Sequence, residues 1–346
     1  MPLTPFLHRV AAGAHLSSED AFQAMSVLLE GSSSESVIAA FLIALKMKGE
    51  TAEELAGFAR AMRERMIAVE AGSDVVDTCG TGGDGSNTFN ISTVAALVMA
   101  GAGARVAKHG NRSLSSQTGS ADVLEALGVR VAMTPDEAAR AIREVGIGFL
   151  FAPHLHPAMK YAQPVRRALK LRTVFNLLGP LANPARASRQ LIGAPSPQAA
   201  KLMAEALAEL GAVHAFVVHG HDGLDEITIT GPTDVWRVCA GSVQKTVWTP
   251  SDFDLKCAPL ESLRGGSAAS NALITQEILA GEPGPRRDIV LANAAAGLVA
   301  AGISPDLRSG MKLARESIDS GCALRTLELL KKNFPAADPL FLETAR

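Results

Sequence analysis

Residues 74–93 read DVVDTCGTGGDGSNTFNIST. A strand-like run, Val75–Thr78, gives way to glycines at 80, 82, 83 and 85 with one acid, Asp84, among them, and an apolar helix-like stretch, Thr93–Ala102, follows. A glycine-rich turn between a strand and a helix lets backbone N–H groups approach a phosphate without interference from Cβ atoms. Gly80, Gly82 and Gly85 fit G-x-G-x-x-G literally, but a tight strand–helix turn satisfies that weak pattern equally well. Two features weigh against a dinucleotide. No Asp or Glu occurs between Asp84 and Asp122, so the acid that would hold ribose hydroxyls is missing. Asp84 would also face a pyrophosphate of like charge unless a divalent cation or a sugar hydroxyl lay between them. Instead, the short hydrogen-bonding side chains Asn87, Thr88, Asn90, Ser92 and Thr93 lead into the helix.

Outward from this turn the chain alternates. Further strands are predicted at Arg105–Lys108, Val129–Met133, Ile147–Phe151, Gln190–Gly193 and Ala215–His219, with helices at Ala121–Leu127, Pro135–Val145 and Pro197–Leu210. Thr134-Pro135-Asp136-Glu137 is a capping box with proline at the first helical position. The alternation predicts an α/β fold, a mostly parallel central sheet flanked by helices, with ligands beyond the carboxyl ends of its strands. The strand after the glycine turn ends in AKHGNRSLSSQTGSAD, residues 107–122. Lys108 falls at the strand end; Asn111, Ser113, Ser115, Ser116, Thr118 and Ser120 follow, the last opening another helix. A lone lysine is usually a solvated surface group, but a lysine beside a helix N-terminus suits a multiply charged phosphate. No G-x-x-x-x-G-K-[ST] occurs, which argues against a nucleoside-triphosphatase loop.

A third strand end carries acid. Asp225 and Glu226 follow the strand-like AFVVHGHDG, residues 215–223. Mg²⁺ binds through one or two carboxylates plus substrate phosphates, and the Ser92 hydroxyl could join such a pair. Zinc fits poorly, because His214, His219 and His221 are irregularly spaced and have no thiol near them in sequence.

The first 70 residues look all-helical, with capping spacings at Ser17/Asp20 and Thr51/Glu54. VIAAFLIAL at 37–45 is apolar on nearly every side, so it must be covered all round, in a small bundle or at a subunit interface. The expected division is a small helical domain over 1–70, joined by part of 160–188, and a large α/β domain over 71–346. After residue 153, a helix-like stretch and then a proline- and glycine-broken loop run to residue 184; after residue 227 come strands and turns, then helices including Ala292–Ala301.

Hydrophobic residues make up 47% of the 346-residue chain, ample for a large core, while aromatics at 4% suit neither a β-sandwich nor a base-stacking surface. A net charge of −2 gives no electrostatic footprint for nucleic acid or an anionic membrane. The 37–45 run is too short to span a bilayer, and no secretory signal is recognisable. Four scattered cysteines, none in C-x-x-C spacing, read as reduced thiols of a cytoplasmic protein.

Four segments in order, GTGGDGSNTFNIST, KHGNRSLSSQTGSADVLEALGV, HPAMKYAQPVRRALKLRTVFNLLGPLANP and GLDEIT, resemble the anthranilate phosphoribosyltransferases, of the nucleoside phosphorylase/phosphoribosyltransferase-like fold family. The resemblance implies a homodimer formed through the helical domain. It also implies transfer of phosphoribosyl from 5-phosphoribosyl 1-pyrophosphate (PRPP) to the anthranilate amine, giving N-(5-phosphoribosyl)anthranilate and pyrophosphate in tryptophan biosynthesis. By motif, Gly80, Gly83, Asp84, Thr88, Asn90, Ile91, Ser92 and Thr93 would hold PRPP, together with Lys108, His109, Gly110, Asn111, Arg112, Ser113, Leu114, Ser115, Ser116 and Ser120. Anthranilate would meet Gly80, Asn111 and Arg166, with His109, Pro153, His156 and Gly179 lining its site; Ser92, Asp225 and Glu226 would bind Mg²⁺. The alternatives are a pyrimidine nucleoside phosphorylase, although those enzymes are longer by a C-terminal domain, and a nucleic-acid-binding relative without catalysis.

The implied chemistry asks for charge stabilisation at the departing pyrophosphate, from Lys108, Mg²⁺ and loop amides. Anthranilate's amine is neutral near pH 7 with its lone pair available, so no catalytic base is assigned. Arg166 suits the carboxylate through paired charge-assisted hydrogen bonds, and on a helix at most one of Arg166 and Arg167 faces the pocket.

Overall fold

The computed structural model describes residues 2–82, 85–113 and 117–336. Four helices open the chain: α1 (Thr4–Ala11), α2 (Ser18–Glu30), α3 (Glu35–Lys48) and α4 (Ala52–Arg65). Their starts follow from the caps: Ser17 accepts from the Asp20 N–H, and Thr51 with Glu54 forms a reciprocal capping box. Glu54 is fully buried because it does more than cap. Its carboxylate also accepts from the Leu16 N–H and pairs with Lys48 Nζ at 2.9 Å.

From residue 75 the chain winds an α/β unit: β1 (Val75–Gly80), α5 (Ile91–Gly101), β2 (Arg105–Gly110), α6 (Ser120–Ala126), α7 (Pro135–Val145) and β3 (Ile147–Phe151). Then follow the short α8 (Ala152–Leu155), a 3₁₀ turn at Pro157–Tyr161, α9 (Gln163–Leu169), α10 (Phe175–Leu181), β4 (Arg189–Gly193), α11 (Pro197–Glu209) and β5 (His214–Gly220). β6 (Thr233–Cys239) and β7 (Ser242–Trp248) form a hairpin, and α12 (Ala268–Leu279), α13 (Pro285–Ala301), α14 (Leu307–Asp319) and α15 (Cys322–Asn333) close the described chain. The sheet order is β3-β2-β1-β4-β5-β6-β7; the first five strands are parallel and the hairpin is antiparallel. The hairpin turns on Ala240 and Gly241, both at positive φ, the mirror-image geometry that follows the twist of two antiparallel strands.

Side-chain alternation divides the core. Leu191, Phe216, Val218 and Val235 point to one face, beneath α5, α13, α14 and α15. Ile192, Ala215, Val217, Trp236 and Val238 point to the other, where α11 lies and the N-terminal helices join it. Nine of the eleven α5 residues are buried, as a helix wedged between a sheet and a second helical layer requires. On the opposite face Val165, Phe175, Leu178 and Leu181 of α9 and α10 share a core with Phe6, Phe41 and Phe58.

Two expectations are corrected. Val129–Met133 is not a strand: Val129 makes one isolated bridge to Pro335. Val129, Val131 and Met133 are buried alternately, so the period is real, but the Arg130 N–H bonds the Phe334 carbonyl at the end of α15 rather than a sheet neighbour. The proline- and glycine-broken loop before residue 184 contains α10. Pro180 sits one residue from its C-terminus, where its missing N–H removes a single bond of the last turn. No helix among the described residues is long and apolar enough to cross a membrane.

Candidate active site

The carboxyl ends of β1 and β4 meet at Gly80 and Gly193, which face each other across the ladder. Both are glycine for one reason, the acidic turn above them. A Cβ on Gly193 would lie 1.6 Å from the Asp225 carbonyl oxygen, and a Cβ on Gly80 would lie 2.6 Å from Asp225 Oδ2. Seated there, Asp225 accepts from the Gly82 N–H through Oδ2 at 3.0 Å, and Glu226 accepts from the Ser92 N–H through Oε1 at 3.1 Å. One carboxylate is thus set against the glycine loop and the next against the N-terminus of α5. No group of three or more His, Cys, Asp or Glu able to hold a metal occurs among the described residues. Two adjacent carboxylates in a cradle shaped by glycines, with a serine beside them, fit a hard cation that takes its other ligands from phosphate and water.

The turn after β2 lies next to the turn after β1. Asn90 Nδ2 donates to the Thr118 carbonyl at 3.1 Å, joining the loop after β1 to the loop after β2. Ile91 and Thr93 are buried, while Ser92 is half-buried and Thr88 packs by its hydroxyl against Ser86. Gly110 admits no Cβ, which would lie 2.4 Å from Ser120 Oγ; that hydroxyl donates to the Asn111 carbonyl. Asn111 is exposed, and its Oδ1 accepts from the Arg112 N–H. The Arg112 guanidinium pairs with Asp122 and Glu125 of α6, so its charge is directed to that helix; the Ser113 N–H also bonds Asp122. Gly83, Asp84, Leu114, Ser115 and Ser116 lie outside the described residues.

Lys108 is buried beneath these loops. Its Nζ donates to the Thr78 carbonyl at 2.6 Å and lies 3.4 Å from Ser92 Oγ. Burial lowers its pKa, opposed by the negative charge of Asp77. The ammonium therefore holds the end of β1 and adds positive potential under the helix terminus.

The neighbouring His109 opens a different surface. Its Nδ1 donates to the Gly179 carbonyl at 3.1 Å, which fixes the tautomer, since a carbonyl only accepts. The His156 ring lies 5.1 Å away, centroid to centroid, and interacts with the Ala182 backbone. Both Nε2 atoms are buried without a hydrogen-bond partner among the described residues. Burial holds the His109 pKa down to about 3, helped by His156, and burial holds His156 down to about 4. Both rings are neutral at pH 7, each with an unengaged lone pair. A Cβ on Gly179 would meet open space, so that side of α10 is clear for a ligand. Pro153 is exposed in α8, just past the end of β3. Arg166 is half-buried with its guanidinium 5.3 Å over the Phe175 ring, and its pKa is lowered by burial, whereas Arg167 points to solvent.

The two histidines fix an acid response. Their folded pKa values lie below the ordinary 6.5, so their contribution to stability is complete above that pH. It is lost as pH falls through the window down to about 4 for His156 and about 3 for His109. Each adds up to about 1.4 kcal/mol per pH unit to the slope. Urea unfolding of His156→Gln between pH 6.5 and 4 should show a shallower loss of stability than the parent chain; equal slopes would contradict the assignment.

Several supporting residues escaped the sequence reading. Asn271 of α12 donates to Asn90 Oδ1, and Arg172 donates to the Gly82 carbonyl at 2.7 Å. Asp77 and Asn183 lie buried between β1 and β2. For Asp77 a signal existed, a lone acid inside an otherwise apolar strand; Asn271 lies 181 residues from its partner and carried none.

A family model described as "Glycosyl transferase family, helical bundle domain" matches residues 4–66, and one described as "Glycosyl transferase family, a/b domain" matches residues 72–324. The anthranilate phosphoribosyltransferase of Solibacter usitatus (strain Ellin6076) is 59% identical over 333 residues, which span 95% of this chain and 98% of that protein. The crystal structure of anthranilate phosphoribosyltransferase from Thermus thermophilus has a TM-score of 0.90 at 45% identity, covering 94% of this chain and 98% of that one. The Saccharomyces cerevisiae anthranilate phosphoribosyltransferase in complex with PRPP and Mg has a TM-score of 0.87 at 30% identity, covering 96% and 97%. Likeness of this extent, in sequence and in fold, makes the chain a member of the anthranilate phosphoribosyltransferase family.

Proposed function

We propose that this chain transfers the phosphoribosyl group of PRPP to the amine of anthranilate, releasing pyrophosphate, as a step of tryptophan biosynthesis. The observation that carries the reading is the meeting of two phosphate turns and an acidic corner, tied together by Asn90–Thr118, Gly82–Asp225 and Ser92–Glu226. Incubation with anthranilate, PRPP and Mg²⁺ should quench anthranilate fluorescence; persistent fluorescence at high enzyme concentration would refute it.

Each group has a task. The loop amides after β1 and β2 take the sugar diphosphate, with Lys108 supplying fixed positive potential from below. Asp225, Glu226 and Ser92 would hold Mg²⁺, which when bound offsets the charge that develops on the departing pyrophosphate. Gly83, Asp84, Thr88 and the residues 114–116 belong to the same pocket in this reading. Departure of the pyrophosphate leaves oxocarbenium character at C1, attacked from the opposite side by the neutral amine. His109 and His156 shape the aromatic acid's pocket as neutral, buried rings. Arg166, partly desolvated over Phe175, pairs with the carboxylate. Arg166→Ala should raise the anthranilate KM by about tenfold to a hundredfold, the range for losing a charge-assisted pair, and leave the PRPP KM within about twofold. An unchanged anthranilate KM would remove Arg166 from the site.

The working unit in this reading is a homodimer in the cytoplasm. Support for the dimer lies on α3, where Ile38, Phe41, Leu42 and Leu45 face inward while Ala40 is exposed and Met47 is 83% exposed. Support for a reducing compartment comes from four free cysteines. The helical domain, residues 1–70 with part of 160–188, would provide the interface. Ala40→Glu with Met47→Glu should shift light scattering from dimer to monomer mass, and an unaltered dimer would move the interface elsewhere.

A further inference from the structure

The sheet is not continuous where the proposed site begins. β1 and β2 pair at Val75↔Arg105 and Val76↔Val106, and no further pair of the two is found among the described residues. Yet both strands run four residues on. From there β1 pairs only with β4, up to Gly80↔Gly193, and β2 only with β3, up to Gly110↔Phe151. Two neighbouring parallel strands that part in mid-sheet leave buried N–H and C=O groups without their ladder partners, a costly arrangement unless side chains replace them.

They do. Asp77, fully buried in β1, accepts from the His109 N–H through Oδ1 at 3.1 Å. Its Oδ2 accepts from Asn183 Nδ2 at 2.8 Å, and the same Nδ2 donates to the Ala107 carbonyl at 2.8 Å. Asn183 Oδ1 accepts in turn from the Ala185 N–H at 2.8 Å. An acid from β1 and an amide from the segment after α10 thus fill the split, each taking a backbone group of β2. His109 is thereby fixed at two points, its N–H by Asp77 and its ring by the Gly179 carbonyl, four residues before Asn183.

We infer that Asp77 and Asn183 form a wedge that holds β1 and β2 apart and positions His109 and the 179–183 segment for the aromatic acid; both are positioning residues for the transfer reaction. The inference rests on the anthranilate site described above. The wedge requires an acceptor on each side of residue 77, because two N–H donors converge on it. Asparagine has the same shape but one acceptor, so in Asp77→Asn one donor meets an NH₂ group. Asn183 must be an amide, since it donates to Asp77 and to Ala107 and accepts from Ala185; alanine there removes all three bonds.

The test is a substrate-by-substrate comparison. The parent enzyme is assayed first; if it forms no product, the functional reading fails and not the wedge. In folded Asp77→Asn the anthranilate KM should rise about tenfold or more, since sub-ångström displacement of a positioning group is felt strongly. The PRPP KM should rise less, because Asp77 also opposes the desolvation of Lys108; in Asn183→Ala, which keeps that charge, it should stay within about twofold. A merely structural role would lower the active fraction and leave both KM values alone. If Asp77→Asn does not fold, Asn183→Ala carries the same comparison, because it keeps the Asp77–His109 bond. Where both variants fold, the double variant should lose no more than the worse single one, as two halves of one device do. Unchanged KM values, equal rises for both substrates, or additive losses would each overturn the inference.

Discussion

Gly193→Ala should lower kcat/KM by about a hundredfold or more, the scale of a displacement of about 1 Å in a positioned site. The added methyl would sit 1.6 Å from the Asp225 carbonyl oxygen and 2.5 Å from its carbonyl carbon, both backbone atoms that no rotamer change can move aside. Either β4 or the acidic turn must shift, and the turn is the one that yields, since β4 is hydrogen-bonded to a strand on each side. The carboxylates would then leave the Gly82 and Ser92 amides that orient them. The cost to folding should be smaller, about 1–3 kcal/mol, as for other overpacked sites. Gly80→Ala supplies the contrast: its methyl would meet Asp225 Oδ2 at 2.6 Å, a side-chain atom that can rotate away at the cost of its Gly82 bond, so the loss should be smaller. Steady-state kinetics and thermal melts of the two variants check the order, and a Gly193→Ala enzyme as active as Gly80→Ala would dismiss the seat as incidental.

Asp225→Asn combined with Glu226→Gln should raise the Mg²⁺ concentration for half-maximal rate by about 10–100-fold or more, as loss of groups around a metal does. The substituted amides keep an oxygen that can accept from Gly82 and Ser92, so the loop hydrogen bonds survive while both charges go. The effect should therefore lie in the metal titration, with the melting temperature close to the parent's. An unaltered titration would reduce the acidic turn to a structural plug on β1 and β4.

Local rules made most of this architecture readable. Caps at Ser17, Thr51 and Thr134 mark real helix starts because a cap is decided by residues three apart. The parallel strands followed from apolar runs set between helices. Val129–Met133 misled because alternation reports which side chains are buried, not whether a neighbour supplies hydrogen bonds. At the site, glycine clustering and the acidic pair were legible by their chemistry. The seat at Gly193 was not, since its reason lies in a turn 32 residues later. Nor was Asn183, whose three partners come from two strands and its own loop. Arg112 sits among phosphate-type residues, and its guanidinium also pairs with Glu125 of α6, a bond no local spacing announces.

The carbonyls of Gly179 and Ala182 that meet the two histidine rings come from α10 and the residue after it, in a segment that packs on the N-terminal helices, where Arg63 also donates to the Leu181 carbonyl. The groups proposed for the sugar diphosphate are carried instead by the strand ends. In the proposed reading Arg166 and the Gly179–Ala182 stretch reach the acceptor from this segment, while Gly80, His109 and Asn111 at the strand ends serve both substrates. A lineage could retune which amine is accepted by redrawing α9 and α10, provided the shared strand-end residues keep the donor in place.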